Sequence, residues 1–471
     1  MNKLYYGDNL TIMKDMQDNS IDLIYLDPPF NSNRTYNLLY KNLTGKPVDE
    51  QIEAFCDAWS IDAEKEELIR EIPKRLLEYN IDSNFIEFWQ YWIKALRFTN
   101  SSLFAYLVYM TIRLLEIRRI LKPTGSVYLH CDPTASHYIK IVLDGIFGYK
   151  NFRNEIIWSY KSGGASKKHF SKKHDVILCY AKDNKKCFFI SLKEKSYNRQ
   201  FKPYRFKGIK EYQDKIGWYT IVNMKDVWNI DMLGRTSKDR LGYPTQKPTA
   251  LLDRIIKASC PENGIVFDPF CGCGTTIYSA FLNKRQWIGC DIAMLSVNLI
   301  KNTLKDRYNL IENINYEVNG IPVSLEQARE LFNKDKFQFQ NWAIELAEGF
   351  ASNKKTRDGG VDGRIWYETK DGLKQMILSV KGGGIGVSDI RDLIGANQNN
   401  SNIEMFGFIC MNKPTKDMIK TSAEQGQYKY LGYNYDKVQI ITIEELLNKT
   451  KAFKTPSKVV YKIKNNQEVL I

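Results

Sequence analysis

Long apolar runs and a secretion signal are both missing from this 471-residue chain. The longest apolar run, near residues 103–110, is too short to span a bilayer, which needs about 20 such residues. The first residues reach Asp8 without forming an apolar core, so nothing there has the pattern of a signal peptide. These absences predict a soluble cytoplasmic protein with no membrane partner.

Cysteine and histidine patterns that bind metals are also missing. Nine cysteines are scattered along the chain, as expected of reduced thiols in a large protein. Cys271 and Cys273 have no matching Cys or His pair nearby, and His169 and His174 stand alone in a lysine-rich stretch. This spacing argues against a structural zinc site.

Acidic residues are too few to balance the basic ones, and the formal net charge is +14. Most of the excess lies in residues 160–215, which contain 16 Lys and Arg against 5 Asp and Glu. Aromatic residues such as Phe170 and Tyr204 are interleaved with the basic ones. A basic run is commonly only a solvated face, but this density with interleaved rings favours a nucleic acid as partner.

A short apolar run at residues 21–26 stops abruptly at an Asp-Pro-Pro-Phe turn. Its β-branched and aromatic residues predict a buried strand. Prolines cannot donate to a sheet and restrict the residue before them, so the strand must end at the aspartate. Ligands of open α/β sheets bind at this edge, although a plain proline turn would give the same local pattern. The turn consists of Asp27, Pro28, Pro29 and Phe30.

A second turn, D-P-F-C-G-C-G-T-T at residues 268–276, lies between a predicted strand and a predicted helix. Its glycines permit positive φ and let the backbone approach a ligand closely. Asp291 follows about 20 residues later at the end of the next strand, where a carboxylate can bind ribose hydroxyls. The G-x-G-x-x-G pattern of dinucleotide sites is absent. The turn therefore suits a nucleoside without a pyrophosphate, and a plain tight turn is the alternative.

The order of predicted elements indicates an α/β fold. Residues 42–100 contain a charged helix and an aromatic helix, which we expect to form an insertion over the strand ends, as a lid. Residues 311–335 are polar and irregular and predict a linker before a separate domain at 336–471. The strands predicted before the linker are 3–6, 21–26, 126–131, 155–160, 175–180, 264–267 and 286–291, and the main helices are 103–121, 135–147, 251–259, 276–282 and 293–307.

These motifs and their order resemble a known family. D-P-P-F, followed by Y-P-T-Q-K-P at residues 243–248 and then by F-x-G-x-G-T-T, is similar to the amino-methyltransferases of DNA. The catalytic motif precedes the donor motif, as in their circularly permuted beta group. The resemblance covers residues 1–310. It implies a Rossmann-like, S-adenosylmethionine-dependent methyltransferase fold that acts on double-stranded DNA, with target recognition in residues 160–241.

The resemblance also implies residues that bind the methyl donor. Asp291 would hold the ribose, Asp8 would lie near the adenine, and Lys247 would lie close to the same pocket. The glycine-rich turn, which we call the donor turn, would wrap the amino-acid end of S-adenosylmethionine. Its expected cofactor-binding residues are Asp268, Phe270, Gly272, Gly274 and Thr275.

The D-P-P-F turn suits methylation of an exocyclic amine on a base. The lone pair of such an amine is delocalised, and two acceptors, the Asp27 carboxylate and the Pro28 carbonyl, would localise it. Phe30 would stack on the flipped base, a contact worth about 1–3 kcal/mol. Methylation of the cytosine ring carbon needs a cysteine, usually after a proline, and Cys260-Pro261 has the reverse order. An initial Asp is linked in the family to adenine N6, and cytosine N4 stays open.

The carboxy-terminal residues resemble the Mrr-type restriction endonucleases, which have an α/β nuclease fold with a D-(E/Q)-x-K pattern. Asp362 and Lys381 flank two predicted strands, which suits a phosphodiesterase in which Asp362 binds Mg²⁺. Ser379 stands where Glu or Gln is expected, and a hydroxyl is a weaker ligand. Glu345, on the preceding predicted helix, is the candidate for the missing ligand.

The sequence leaves three possible functions open. The first is a methyltransferase and a Mg²⁺-dependent nuclease in one chain, a restriction-modification protein. The second is a methyltransferase whose tail only binds DNA. The third is a DNA-binding protein with a vestigial donor pocket, which the intact donor residues disfavour. The sequence decides neither the recognition site nor whether the chain forms a homodimer.

Overall fold

The computed structural model of the protein describes residues 2–29, 35–38, 52–56, 63–161, 166–234, 237, 239–241, 243, 245–352, 361–370, 372–395 and 402–456. The chain divides into two units. The first comprises Met1–Arg34 and Asp57–Val318, and the second comprises Thr35–Cys56 and Asn319–Ile471. Of the helices in these ranges, none is long and apolar enough to cross a membrane.

Strands and helices are interspersed through the first 319 residues, as the α/β prediction requires. In chain order they are β1 (Asn2–Tyr6), α1 (Asn9–Lys14), β2 (Ile21–Leu26), β3 (Thr35–Leu38), β4 (Ile52–Cys56), α2 (Ala63–Glu78), α3 (Ser83–Thr99), α4 (Ser101–Ile120), β5 (Leu121–Cys131), α5 (Ser136–Phe147), β6 (Phe152–Ser159), β7 (His174–Ala181), β8 (Lys193–Tyr197), β9 (Glu211–Gln213), β10 (Trp218–Asn223), β11 (Val227–Asn229), α6 (Thr249–Ser259), β12 (Ile265–Asp268), α7 (Thr275–Leu282), β13 (Gln286–Asp291), α8 (Met294–Tyr308) and β14 (Tyr316–Asn319).

A nine-stranded sheet forms the centre of the first unit, in the order β11-β6-β7-β5-β2-β12-β13-β1-β14. β5, β2, β12, β13 and β1 are parallel, whereas β7 is antiparallel to both β5 and β6. The chain leaves β2 towards β5 and leaves β12 towards β13, in opposite directions. Ligands of such sheets bind where the strand order reverses, at the carboxyl ends of the strands. The D-P-P-F turn of residues 27–30, which we call the catalytic turn after its predicted role, follows β2, and the donor turn follows β12, so this edge carries both.

Helix α4 is buried along most of its length, because the sheet covers one side and other helices cover the rest. Trp89, Ile93 and Leu96 of α3 are buried in the same core. The Trp89 indole donates to Thr111 Oγ1 of α4 at 3.3 Å. α2 and α3 therefore pack as a layer on α4, and the lid expected from residues 42–100 stays a prediction. Their apolar residues suit this contact as well as they suit a lid.

The basic stretch at residues 160–241 divides between two sheets. β7 belongs to the central sheet, whereas β8, β10 and β9 form a separate antiparallel sheet in that order. The expected boundary at residue 160 therefore falls between two strands of the central sheet. Residues 182–226 are the part that leaves this sheet, before β11 pairs with β6.

The expected linker at residues 311–335 is wrong for most of its length. β14 extends the central sheet beside β1, and residues 325–334 form a helix. Tyr316 is buried, with its ring 5.7 Å from that of Trp287. An edge strand that buries a single ring has no clear periodicity, so the sequence pattern resembled a coil.

The second unit contains a five-stranded sheet, in the order β15-β16-β17-β18-β21. β16 is antiparallel to β15 and β17, and β17, β18 and β21 are parallel. This agrees with an α/β class, and the endonuclease assignment stays a prediction. The elements after β14 are α9 (Leu325–Lys334), α10 (Lys336–Leu346), β15 (Phe350–Ala351), β16 (Gly363–Thr369), β17 (Gly372–Lys381), α11 (Val387–Gly395), β18 (Ile403–Cys410), α12 (Lys416–Ala423), β19 (Gln427–Tyr430), β20 (Tyr433–Asp436), β21 (Val438–Thr442) and α13 (Ile443–Leu447).

Candidate active site

The catalytic turn begins where β2 ends. Every residue of β2 is buried, Pro28 is buried behind it, and Asp27 and Pro29 are half-buried. Lys247 Nζ donates to Asp27 Oδ2 at 2.6 Å, and the two side chains are only 9% and 18% exposed. Phe30 lies outside the described residues. The structure thus joins Lys247, which the resemblance placed beside the donor pocket, to Asp27, which is predicted to be catalytic.

Glycines shape the donor turn. Gly272 and Gly274 have φ of +50° and +85°. A Cβ at position 274 would lie 2.8 Å from Ile300 Cγ1, whereas a Cβ at position 272 would meet only the Tyr243 ring, at 3.5 Å. Any larger residue at position 274 would therefore clash with the side chains packed beneath the turn. At Gly272 a Cβ would make only an ordinary contact, so the positive φ is what favours glycine there.

Asp291 connects the end of β13 to the donor turn. Its Oδ2 accepts from the Gly272 amide at 2.8 Å, and its Oδ1 accepts from the Ala293 amide at 2.9 Å. Burial raises the pKa of Asp291 to about 6, although these amide bonds oppose the rise. Each carboxylate oxygen has two lone pairs, so Asp291 can also accept from ribose hydroxyls. The geometry fits the predicted role.

Asp268, a predicted cofactor-binding residue, is buried at the end of β12. Its side chain is 3% exposed, and its Oδ1 accepts from the Phe270 amide at 3.0 Å. Burial raises the pKa of Asp268 to about 7, and the charges of Asp27 and Asp291 add to the rise. The buried carboxyl group therefore stabilises the donor turn through its hydrogen bond with the Phe270 amide. Thr275, the first residue of α7, is also buried.

Asp8 caps helix α1 at the end of β1. Its Oδ1 accepts from the Leu10 and Thr11 amides, and its Oδ2 accepts from Arg113 Nη2 at 2.6 Å. Burial alone would raise the pKa of Asp8, but the Arg113 charge and the amide bonds lower it below its usual value. Asp8 lies beside the end of β13, because the neighbouring Gly7 amide donates to Asp291 O at 3.0 Å.

Sequence reasoning missed a buried polar chain beneath the catalytic turn. Tyr25 Oη lies 2.9 Å from His130 Nδ1, and His130 Nε2 lies 3.1 Å from Asp175 Oδ2. Tyr160 donates to the other Asp175 oxygen at 3.1 Å. The chain joins β2, β5 and β7. The only signal in the sequence was a histidine within the apolar run of β5.

Three of the four nuclease candidates lie together in the second unit. Asp362 Oδ2 accepts from the Val380 amide at 2.6 Å and from Ser379 Oγ at 3.2 Å. Burial raises the pKa of Asp362, and these bonds and the Lys381 charge oppose the rise. Glu345 lies on α10, whose Ile344 packs against β16. Among the side chains described, no three of His, Cys, Asp or Glu are arranged to hold a metal ion.

Comparison with known proteins decides the family. Residues 21–302, more than half of the chain, match the model of a family described as DNA methylase. The chain belongs to this DNA methylase family. The match contains the catalytic turn, the donor turn and the basic stretch, and it confirms the prediction of a DNA amino-methyltransferase.

Relatives of this DNA methylase are bacterial modification enzymes. It is 26% identical over 323 residues to Type II methyltransferase M.HpaI of Haemophilus parainfluenzae, an alignment that covers 69% of this chain and 80% of that protein. It is 29% identical over 296 residues to DNA adenine methyltransferase YhdJ of Escherichia coli (strain K12), covering 61% and 78%. Among solved structures, PvuII DNA methyltransferase (cytosine-N4-specific) has 14% identity and a TM-score of 0.39, covering 66% and 89%.

Proposed function

We propose that the protein transfers a methyl group from S-adenosylmethionine to the exocyclic amine of a base flipped out of double-stranded DNA, with adenine N6 as the target. The observation that carries the proposal is the adjacency of β2 and β12, in which Ile24 pairs with Phe267. It puts Asp27 and the donor turn at the carboxyl ends of neighbouring parallel strands. The two halves of a methyl-transfer site need this proximity.

The cofactor supplies an electrophilic methyl group, and the protein positions the amine. Asp27 and the Pro28 carbonyl accept the hydrogens of the amine, so that its lone pair points towards the donor turn. Lys247 is paired with Asp27 Oδ2 before the base arrives. A carboxylate oxygen has two lone pairs, so Asp27 can accept from the ammonium and the amine together. After methyl transfer, Asp27 is placed to take the surplus proton from the amine nitrogen.

Adenine N6 is favoured over cytosine N4 by two features. The catalytic turn begins with Asp, and YhdJ, 29% identical over 296 residues, is a DNA adenine methyltransferase. Residues 182–226, with the small sheet β8-β10-β9, are the part of the basic stretch that we assign to target recognition. Exposed lysines there, such as Lys202 and Lys207, would bind DNA phosphates.

Methylation-aware sequencing of DNA from cells that express the protein tests the proposal. We expect N6-methyladenine at one sequence motif with the wild type and none with Asp27→Ala. N4-methylcytosine at a motif would reassign the target base. A folded wild type that binds S-adenosylmethionine but leaves the DNA unmethylated would contradict the proposed reaction.

We also propose that the second unit cleaves DNA with Mg²⁺, since Asp362, just before β16, lies close to Ser379 and Lys381 of β17. Asp362, with Glu345 as the candidate second ligand, would bind the cation, and the cation would activate water for attack on the phosphodiester. Purified protein should cut unmethylated DNA in Mg²⁺, and Lys381→Ala should not. Lys374→Ala is the control, because Lys374 lies on the same strand but pairs with Glu404 at 2.8 Å. If the DNA stays intact with every divalent ion tested, the nuclease proposal is wrong and the second unit is a DNA-binding module instead.

A further inference from the structure

Helix α4 carries a buried arginine that the methyl-transfer chemistry does not use. Arg113 is 2% exposed. Its Nη2 donates to Asp8 Oδ2 at 2.6 Å, its Nε donates to Asn9 Oδ1 at 2.7 Å, and its Nη1 donates to Tyr109 O at 3.2 Å. A buried cation is costly unless it is paired and hydrogen-bonded, and here Asp8 provides the ion pair while Asn9 accepts a second bond.

Asn9 extends the contact to the donor turn. It is 5% exposed, and its Nδ2 donates to Pro269 O at 2.9 Å. A second route runs through Tyr109, whose ring centroid lies 3.4 Å from Arg113 Cζ and 6.4 Å from the Phe270 ring. Arg113 is therefore linked to the turns after β1 and β12, although β13 separates these strands in the sheet.

We propose that Arg113 is a positioning residue for the methyl-donor pocket, in which it holds the β1 turn and the donor turn at a set spacing through Asp8 and Asn9. The inference rests on the proposed function, because the ligand of this pocket is taken to be S-adenosylmethionine. The planar guanidinium presents several donors in a fixed fork, so it binds both side chains at once. A lysine at the same position would retain the charge and lose this geometry.

Arg113→Lys tests the proposal in the full-length protein. We expect the Kd for S-adenosylmethionine, measured by calorimetry, and the KM for the donor to rise about 10-fold, within the range reported for residues that orient a ligand-binding group. The KM for DNA should stay within about 2-fold of the wild type, because the change acts through the donor pocket alone. A purely structural residue would not separate the two KM values in this way.

Asn9→Ala provides a second variant if Arg113→Lys folds poorly. It removes the bond to Pro269 and should also raise the donor Kd. The increases in donor Kd caused by Arg113→Lys and Asn9→Ala should not add in the double variant, because both changes break the same path from Arg113 through Asn9 to Pro269. Arg119→Lys is the matched control. Arg119 also lies on α4 and pairs with Glu116 at 2.8 Å, but its bonds lead to the carbonyls of Met13 and Met16 and not to the donor turn.

The outcomes separate the inference from the function on which it rests. A normal donor Kd in both Arg113→Lys and Asn9→Ala would overturn the positioning role, as would an equal rise with Arg119→Lys or an equal rise in both KM values. A wild type that binds no S-adenosylmethionine would overturn the proposed function, and the inference with it.

Discussion

Asp27 is the residue on which the proposed chemistry depends. In the proposed reaction its carboxylate accepts from the amine, and its contact with Lys247 at 2.6 Å holds it at the end of β2. We expect Asp27→Ala to lower methyl transfer by at least about 100-fold, the effect of removing one aligned polar group from a transition state. Donor binding should be largely intact, because Asp291 and the glycines stay in place.

Methyl transfer is measured with a labelled donor, and donor binding by calorimetry. Asp27→Asn is the companion variant. It keeps one acceptor oxygen, and it leaves a polar side chain beside the Lys247 ammonium where alanine would leave none. It should retain more activity than Asp27→Ala. Loss of donor binding in either folded variant would show that Asp27 belongs to the donor pocket instead.

Asp268 predicts a pH dependence of stability. Burial raises its pKa to about 7 from the ordinary value of 3.8. Between these two pH values the unfolded chain releases a proton that the folded chain retains, so this group lowers the free energy of unfolding as pH rises from about 4 to 7. The full effect is on the order of a few kcal/mol.

Asp268→Asn removes this titration and retains an oxygen that can accept from the Phe270 amide. Urea unfolding at pH 5 and at pH 8 should therefore show that the variant gains stability relative to the wild type at the higher pH. A difference between the two proteins that stays constant with pH would mean that Asp268 is ionised throughout.

At the scale of elements, the packing of helix α3 distinguishes a lid from a packed layer. A Cβ at Gly145 of α5 would lie 2.1 Å from the ring of Phe85 in α3. Alanine normally stabilises a helix by about 1 kcal/mol relative to glycine. At this position we expect Gly145→Ala to destabilise the protein by about 1–3 kcal/mol, because the extra methyl group overpacks the contact.

Chemical unfolding measures the effect, and Gly234→Ala is the control, since a Cβ there meets no atom within 4 Å. Unchanged stability in Gly145→Ala would mean that α3 moves away from α5 at little cost. That result would favour the lid that the aromatic pattern of residues 85–98 first indicated.

For the whole molecule, the carboxy-terminal boundary of the first unit can be tested by truncation, with Thr35–Cys56 of the second unit kept in both fragments. A chain that ends at residue 320 keeps β14, whereas one that ends at residue 310 loses it and exposes the edge of β1. We expect the longer fragment to fold, bind the donor and retain measurable methyl transfer. The shorter fragment should melt at a lower temperature, because it loses the buried Tyr316 and its contact with Trp287.

Circular dichroism melts and methyl-transfer assays of the two fragments provide the comparison. DNA cleavage should be absent from both fragments, because they lack Asp362 and Lys381. Equal melting temperatures would show that β14 adds little to the first unit. Loss of folding in both fragments would show that the first unit depends on residues of the second.

Local chemistry explains which features the sequence alone determined. Prolines after Asp27 end a strand wherever they occur, and the glycines at 272 and 274 allow backbone angles that other residues rarely adopt. Apolar periodicity locates the main strands and helices. The α/β class, the catalytic turn, the donor turn and Asp291 at a strand end could therefore be predicted without coordinates.

Only the tertiary structure decided which distant residues meet. Strand order brings β2 beside β12 and thereby joins the two halves of the site. Lys247 with Asp27, and Arg113 with Asp8 and Asn9, are contacts between segments far apart in the chain, and no local pattern encodes them. The same holds for β14, which is a strand because β1 offers it an edge, and for α3, which is a packed layer because α4 and α5 lie beneath it.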